Sequence, residues 1–188
     1  WMKPRGAWVS KWFLPARAWI MPRPVGVVGI IVPWNYPLYL TIGPLAGALA
    51  AGNRTLVKLS EFTPAFAALF QRLVSEHFGT DELAVVTGGA EIAADFSALP
   101  FDHLVFTGST EVGRKVMTAA GANLTPVTLE LGGKSPAVVA PGYPLGRAAR
   151  RIMTGKLLNA GQTCIAPDYA LVPRADVDAF VAQARKEA

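Results

Sequence analysis

The sequence predicts an α/β chain organised on a doubly wound, mostly parallel sheet. Three observations predict it. Short apolar, β-branched runs alternate with helical segments through most of the 188 residues. The connections between them are short, as in βαβ units. The leading run, Val25-Gly26-Val27-Val28-Gly29-Ile30-Ile31-Val32, contains no polar side chain. A sheet with one face in water would alternate polar and apolar, so this strand is expected to be covered on both faces.

The elements follow in order. Residues 1–24 carry prolines at positions 4, 15, 22 and 24 among alternating apolar residues, which suits extended or edge strands and not helix. Pro33-Trp34-Asn35-Tyr36-Pro37 interrupts the first buried run, and Leu38 to Ala51 reads as a small-residue helix stopped by Gly52-Asn53. Thr55 to Leu59 is strand-like. Pro64 to Phe78 is helical, with Thr63 in N-cap position and Gly79 as the stop. Leu83 to Val86 and His103 to Phe106 are strands, separated by a short helix from Glu91 to Leu99. A turn at Thr107-Gly108-Ser109-Thr110 opens a helix from Glu111 to Ala120. Pro126 to Leu131 and Pro136 to Ala140 are strands broken by Gly132-Gly133. Leu145 to Leu158 is helical, Tyr169 to Val172 a strand, and Ala175 onward a helix.

Composition narrows the function classes. A single cysteine rules out an internal disulfide framework and fits a reducing, cytoplasmic setting. The chain opens on Trp1 without a signal-peptide pattern and closes in a charged helical run, so it reads as a segment of a longer protein. Net charge is +5, and the seven basic residues up to Lys58 precede the first acidic one, Glu61. Basic residues interleaved with Trp8, Trp12, Phe13 and Trp19 are the one hint of nucleic acid, but no nucleic-acid motif accompanies them. An arm that packs its aromatics on a partner surface is the preferred reading. No charge lies between Arg23 and Arg54, yet Pro33 to Pro37 splits this stretch into pieces shorter than the roughly 20 residues of a spanning helix. No membrane partner is expected. His77 and His103 lack metal-ligand spacing, are read as structural, and no metal is expected.

Parallel sheets bind ligands beyond the carboxyl ends of their strands, and the candidates fall there. Asn35 follows the first buried strand. Lys58 and Glu61 follow the second; a lysine and a carboxylate at this spacing can hydrogen-bond the two hydroxyls of a ribose, and a carboxylate there favours NAD over NADP. Gly108 to Gly113 resembles a phosphate-binding turn at a helix start, although it lacks the middle glycine of G-x-G-x-x-G. Its Glu111 suits the helix dipole. Glu130 closes Val127-Thr128-Leu129-Glu130; it faces either outward or into a pocket, where it would serve as a general base. Cys164 lies in Asn159-Ala160-Gly161-Gln162-Thr163-Cys164-Ile165-Ala166-Pro167, whose small residues would let a ligand approach the thiol. A lone cysteine is otherwise more often a small buried hydrophobe.

Taken together, four motifs resemble the NAD(P)-dependent aldehyde dehydrogenase superfamily, in its order: Pro33 to Pro37; Phe106 to Thr110 with Gly113; Leu129-Glu130-Leu131-Gly132-Gly133-Lys134-Ser135-Pro136; and Gly161 to Cys164. Thr87-Gly88-Gly89, Leu59-Ser60-Glu61 and Cys164 to Tyr169 are most similar to the branch of coniferyl-aldehyde and fatty-aldehyde dehydrogenases. The resemblance implies a Rossmann-like cofactor domain over 25–131, an oligomerisation arm over 1–24, and the first part of an α/β catalytic domain over 132–188. It implies oxidation of a small-molecule aldehyde to an acid, with NAD as cofactor and NADP as the alternative, in a homodimer or homotetramer. It implies Cys164 as nucleophile, Asn35 and the Cys164 N–H as oxyanion hole, and Glu130 as the base that activates water. Lys58 and Glu61 would hold the adenosine ribose. Ser109, Gly108 and Gly113 would meet the pyrophosphate, and Pro33, Trp34 and Leu131 would border the cofactor. The family's second cofactor glutamate, in a Glu-(Ile/Leu)-Phe-Gly-Pro motif, has no counterpart in these 188 residues, so little or no turnover is expected of this segment alone. A glutamate paired with the cysteine favours hydrolysis over transfer to coenzyme A. The alternative is a non-catalytic nucleotide-binding module in which Cys164 is a buried thiol.

Overall fold

A computed structural model describes residues 2–188. Trp1, the first residue of the expected arm, lies outside the described residues. The chain forms two compact units, one ending at Glu130 and the other spanning Leu131–Ala188.

The first unit begins with β1 (Arg5–Ala7) and β2 (Ala18–Ile20), a short antiparallel pair with Gly6 opposite Trp19. The arm is not wholly extended: Lys11–Phe13 forms one 3-10 turn between the strands, closed by the Phe13 N–H on the Ser10 carbonyl at 2.9 Å. Five strands then build the main sheet: β3 (Val27–Ile31), β4 (Arg54–Lys58), β5 (Leu83–Val86), β6 (His103–Gly108) and β7 (Val127–Leu131). Their spatial order is β5-β4-β3-β6-β7, and the registers linking β5, β4, β3 and β6 are parallel. The chain thus steps from β3 to one side, returns to its other flank, and reverses strand order between β3 and β6. Such a reversal opens a crevice at the carboxyl ends of the strands.

Helices fill the crossovers. α1 (Pro37–Ala50) carries proline in its first turn, where the missing N–H has no intrahelical role. It ends on Gly52 at φ 81°, which returns the chain to β4, while Asn53 donates to the Ala48 carbonyl and accepts from the Val25 and Gly26 N–H groups. Pro44 sits inside α1, a position the periodicity of the sequence passes over. α2 (Pro64–His77) starts where expected, but Thr63 does not cap it; its hydroxyl donates to the Ser60 carbonyl at 3.3 Å. Leu45 of α1 with Ala67 and Val74 of α2 bury against Val28, Ile30, Val32, Val57, Leu59 and Leu83. The alternate residue Gly29 faces Phe101 and Leu104, where an added Cβ would come within 2.6 Å of the Phe101 ring. This period-two split explains the unbroken apolar run: β3 is covered on both faces. α3 (Ala90–Ser97) and α4 (Thr110–Gly121) pack together along β6.

In the second unit β8 (Ser135–Val138) and β9 (Pro167–Leu171) form their own parallel pair, with an irregularity at Ser135/Pro136. α5 (Leu145–Leu157) and α6 (Val177–Glu187) close a small core of Val139, Ala148, Ala149 and Phe180. The final helix starts two residues later than expected, after a 3-10 turn over Arg174–Asp176. Among the described residues no helix is long and apolar enough to cross a membrane.

Candidate active site

The carboxyl edge of the sheet is defined by one row of residues. Ile31 is opposite Lys58 on one side and Phe106 on the other. The segments that leave this row are Val32 to Asn35, Leu59 to Glu61, and Thr107 to Ser109. Parallel register therefore delivers three of the sequence-predicted groups to one edge, although they are far apart along the chain.

Lys58, the last residue of β4, is buried, and its Nζ donates to Glu61 Oε2 at 3.2 Å. Burial of a lysine demands a counter-charge. Glu61 supplies it from a turn shaped by Ser60, itself buried, whose Oγ accepts from the Phe62 N–H at 3.3 Å. The Glu61 carboxyl is held below its ordinary value of 4.5, first by a hydrogen bond from its own backbone N–H. Partial burial opposes this shift, and the hydrogen bond and charge of Lys58 add to it. The ionised carboxylate and ammonium offer acceptors and donors side by side, the set that vicinal hydroxyls require.

Ser109 caps α4, its Oγ accepting from the Val112 N–H at 3.3 Å, and Gly113 is buried with its N–H on the Ser109 carbonyl at 2.9 Å. The open N–H groups of a helix's first turn favour an anion. Gly108 has a structural reason besides ligand approach: a Cβ there would lie 2.5 Å from Phe106 Cζ. Glu111 pairs with Lys115 at 3.0 Å on the exposed helix face. His103 Nε2 lies 2.9 Å from Thr128 Oγ1, as befits a structural histidine. The residues of this edge present a lysine–carboxylate pair at the end of β4 and an open helix start after β6, a donor and acceptor set that a dinucleotide could use.

Pro33 and Asn35 are half-buried and Trp34 is exposed. Beside Asn35 lies an open apolar groove of about 500 Å³ lined by Asn35, Tyr36, Pro37, Leu38, Tyr39 and Ile42. Glu130 lies on β7, the outer strand beyond β6. β7 alternates half-buried and exposed residues, and Glu130 shares the exposed set with Thr128. Leu131 is half-buried at the strand's end.

Cys164 belongs to the second unit and is exposed, so the reading of a buried structural thiol does not hold. It sits in the loop between α5 and β9. Asn159 (φ 50°), Ala160 (φ 55°) and Gly161 (φ 79°) are consecutively left-handed. For the two non-glycine residues this costs roughly 1–2 kcal/mol each. Such backbone persists only where its surroundings over-determine it. A turn from the Ala166 N–H to the Thr163 carbonyl at 3.1 Å encloses the cysteine. Among the described residues, no group of three or more His, Cys, Asp or Glu is arranged to hold a metal.

Two contributors escaped the sequence reading. Ser60 gave only a weak signal, a serine between the two charged residues it orients. Asp168 gave none, because its partners Lys134 and Lys156 are remote along the chain.

Comparison with known proteins agrees with this architecture. Residues 11–188 match the aldehyde dehydrogenase family. The chain is 59% identical over 183 residues to a probable coniferyl aldehyde dehydrogenase of Pseudomonas aeruginosa, covering 97% of this chain and 38% of that protein. The substrate-bound structure of Staphylococcus aureus AldH superposes with a TM-score of 0.96 at 43% identity, over 99% of this chain and 41% of that one. An aldehyde dehydrogenase of Mycobacterium tuberculosis complexed with NAD+ gives 0.89 at 35%, over 98% and 38%. The chain spans about two-fifths of the length of these relatives. With a family match over nearly its whole length and the same α/β architecture throughout, the chain belongs to the aldehyde dehydrogenase family.

Proposed function

We propose that this chain carries the nucleophile, the general base and the adenosine-side cofactor site of an NAD(P)-dependent aldehyde dehydrogenase. The observation that supports it most is the single sheet edge from which Asn35, the Lys58–Glu61 pair and Ser109 emerge. Lys58 and Glu61 bind ribose hydroxyls, and the Ser109-capped start of α4 binds the pyrophosphate, with Pro33, Trp34, Gly108, Gly113 and Leu131 bordering the cofactor. Glu61 beside a 2′-hydroxyl favours NAD over NADP. When bound, the dinucleotide supplies the hydride acceptor for the thiohemiacetal.

Cys164 Sγ attacks the aldehyde carbon, and the carbonyl oxygen becomes the oxyanion of a thiohemiacetal. The Asn35 amide and the Cys164 N–H stabilise that charge. After oxidation the acyl group remains on sulfur as a thioester. Glu130 takes a proton from water, the hydroxide adds to the thioester carbon, and the carboxylic acid leaves as the C–S bond breaks. The apolar groove of Tyr36, Leu38, Tyr39 and Ile42 beside Asn35 supports an apolar aldehyde as substrate, an aromatic one of coniferyl type among them. The parent assembly is a homodimer or homotetramer held in part by the β1–β2 arm.

Two measurements test the reading. Iodoacetamide should label Cys164 quickly at neutral pH, at a rate that NAD changes; slow labelling indifferent to NAD would refute it. In the protein that carries this chain, Glu130→Gln should leave a burst of about one NADH per site followed by turnover slowed roughly 10²–10⁴-fold. Undiminished steady-state turnover would remove Glu130 from the mechanism.

A further inference from the structure

Three segments of the second unit meet at one carboxylate oxygen. Asp168 Oδ1 lies 3.2 Å from Lys134 Nζ and 4.0 Å from Lys156 Nζ. Lys134 precedes β8, Lys156 is the penultimate residue of α5, and Asp168 is the second residue of β9. The cysteine loop runs from Leu158 to Ala166, so Lys156 and Asp168 stand at its entrance and its exit. The same two ends also approach closely, since a Cβ added to Gly155 would be 3.4 Å from Pro167 Cδ. Between them the backbone holds Asn159, Ala160 and Gly161 left-handed. Three successive residues in that region do not persist through local preference, and the loop's ends must be held to keep it.

We propose that Asp168 is a positioning residue for the thiol: its carboxylate ties the entrance of the cysteine loop to its exit and to the lead-in of β8, and so keeps Cys164 in its reactive setting. The proposal rests on the reading of Cys164 as the nucleophile. The close approach of Gly155 to Pro167 limits the separation of the two ends but not their rotation. One ammonium hydrogen-bonded to the oxygen and a second 4.0 Å from it, approaching from different segments, oppose that rotation. Lys134 is largely exposed and the Lys156 and Asp168 side chains are partly so, so the clamp is electrostatic in a wet setting and its strength depends on salt.

The test uses iodoacetamide on the chain's only cysteine, with the pH profile of the rate recorded between pH 5 and 9. Asp168→Asn keeps the shape and removes the charge. It should slow labelling at neutral pH about 3–10-fold toward the rate of free cysteine, the size of effect expected from a partly screened ion pair. The wild-type rate should fall as salt rises toward 1 M, and the Asp168→Asn rate should not respond. Asp168→Glu should recover part of the rate, and the combined Lys134→Gln, Lys156→Gln variant should reproduce Asp168→Asn. Should Asp168→Asn fail to fold, that lysine pair decides the question alone. An unchanged or faster rate in the folded variants overturns the clamp. A wild-type rate no faster than that of free cysteine overturns the nucleophile reading itself, and the clamp with it.

Discussion

Replacing Glu61 by glutamine and Lys58 by methionine should have unequal consequences for stability, although both break the same ion pair. Lys58 is buried and its ammonium donates to Glu61 Oε2 at 3.2 Å. At an effective dielectric constant of ~20 two charges at that separation interact by about 5 kcal/mol. The Glu61 side chain is 38% exposed, so water screens much of this. The cost should fall between the 0–1 kcal/mol of surface pairs and the 3–5 of a broken buried pair. Glu61→Gln retains an acceptor for the ammonium and removes only the charge. It should destabilise the chain by about 1–2 kcal/mol at neutral pH, because a buried cation loses its counter-ion. Lys58→Met keeps the apolar stem, removes the buried cation and leaves Glu61 to water. It should cost less than about 1 kcal/mol or stabilise slightly. Urea unfolding followed by circular dichroism measures both. The pH dependence gives a second check. The folded Glu61 carboxyl titrates below its ordinary value of 4.5, so the unfolded chain takes up the proton first as pH falls. The contribution of Glu61 is therefore complete above about pH 5 and lost as pH drops through the folded value. The gap between wild type and Glu61→Gln should close below that point. Equal destabilisation by the two variants, or a gap independent of pH between 3 and 7, would refute the account.

Other expectations concern the elements that hold the site. Gly29→Ala would drive a Cβ to 2.6 Å from the Phe101 ring at the centre of the sheet; overpacking of this kind should cost about 1–3 kcal/mol in urea unfolding. Ser109→Ala removes the cap on the Val112 N–H, which should lower stability by about 1 kcal/mol and weaken NAD binding as measured by calorimetry. If NAD affinity were unchanged in that variant, the start of α4 would not be the anion site.

Much of the fold was legible because its signals are local. The run of β3 has no polar side chain, Pro37 and Pro64 fall in the first turns of their helices, and Gly52 provides the left-handed stop of α1. Other features were misjudged for want of tertiary context. Thr63 has the residue type of a cap, but its hydroxyl is drawn to the Ser60 carbonyl. Pro44 inside α1 and the 3-10 turn at Lys11–Phe13 run against local preference.

For the site, the sequence by itself nominated the proposed chemistry: which thiol, which carboxylates, which lysine and which helix start. Those are properties of side-chain type and motif order, and they survive without coordinates. Tertiary structure alone decided three things. Parallel register aligned Ile31 with Lys58 and Phe106, so that groups from three crossovers emerge at one edge. Pleating turned Glu130 to the exposed side of β7. Packing of α5, β8 and β9 brought Lys134 and Lys156 to within 3.2 and 4.0 Å of one Asp168 oxygen beside the cysteine loop. Each depends on pairings between remote segments, and a strand's register or a long-range ion pair leaves no periodic mark in the residues that make it.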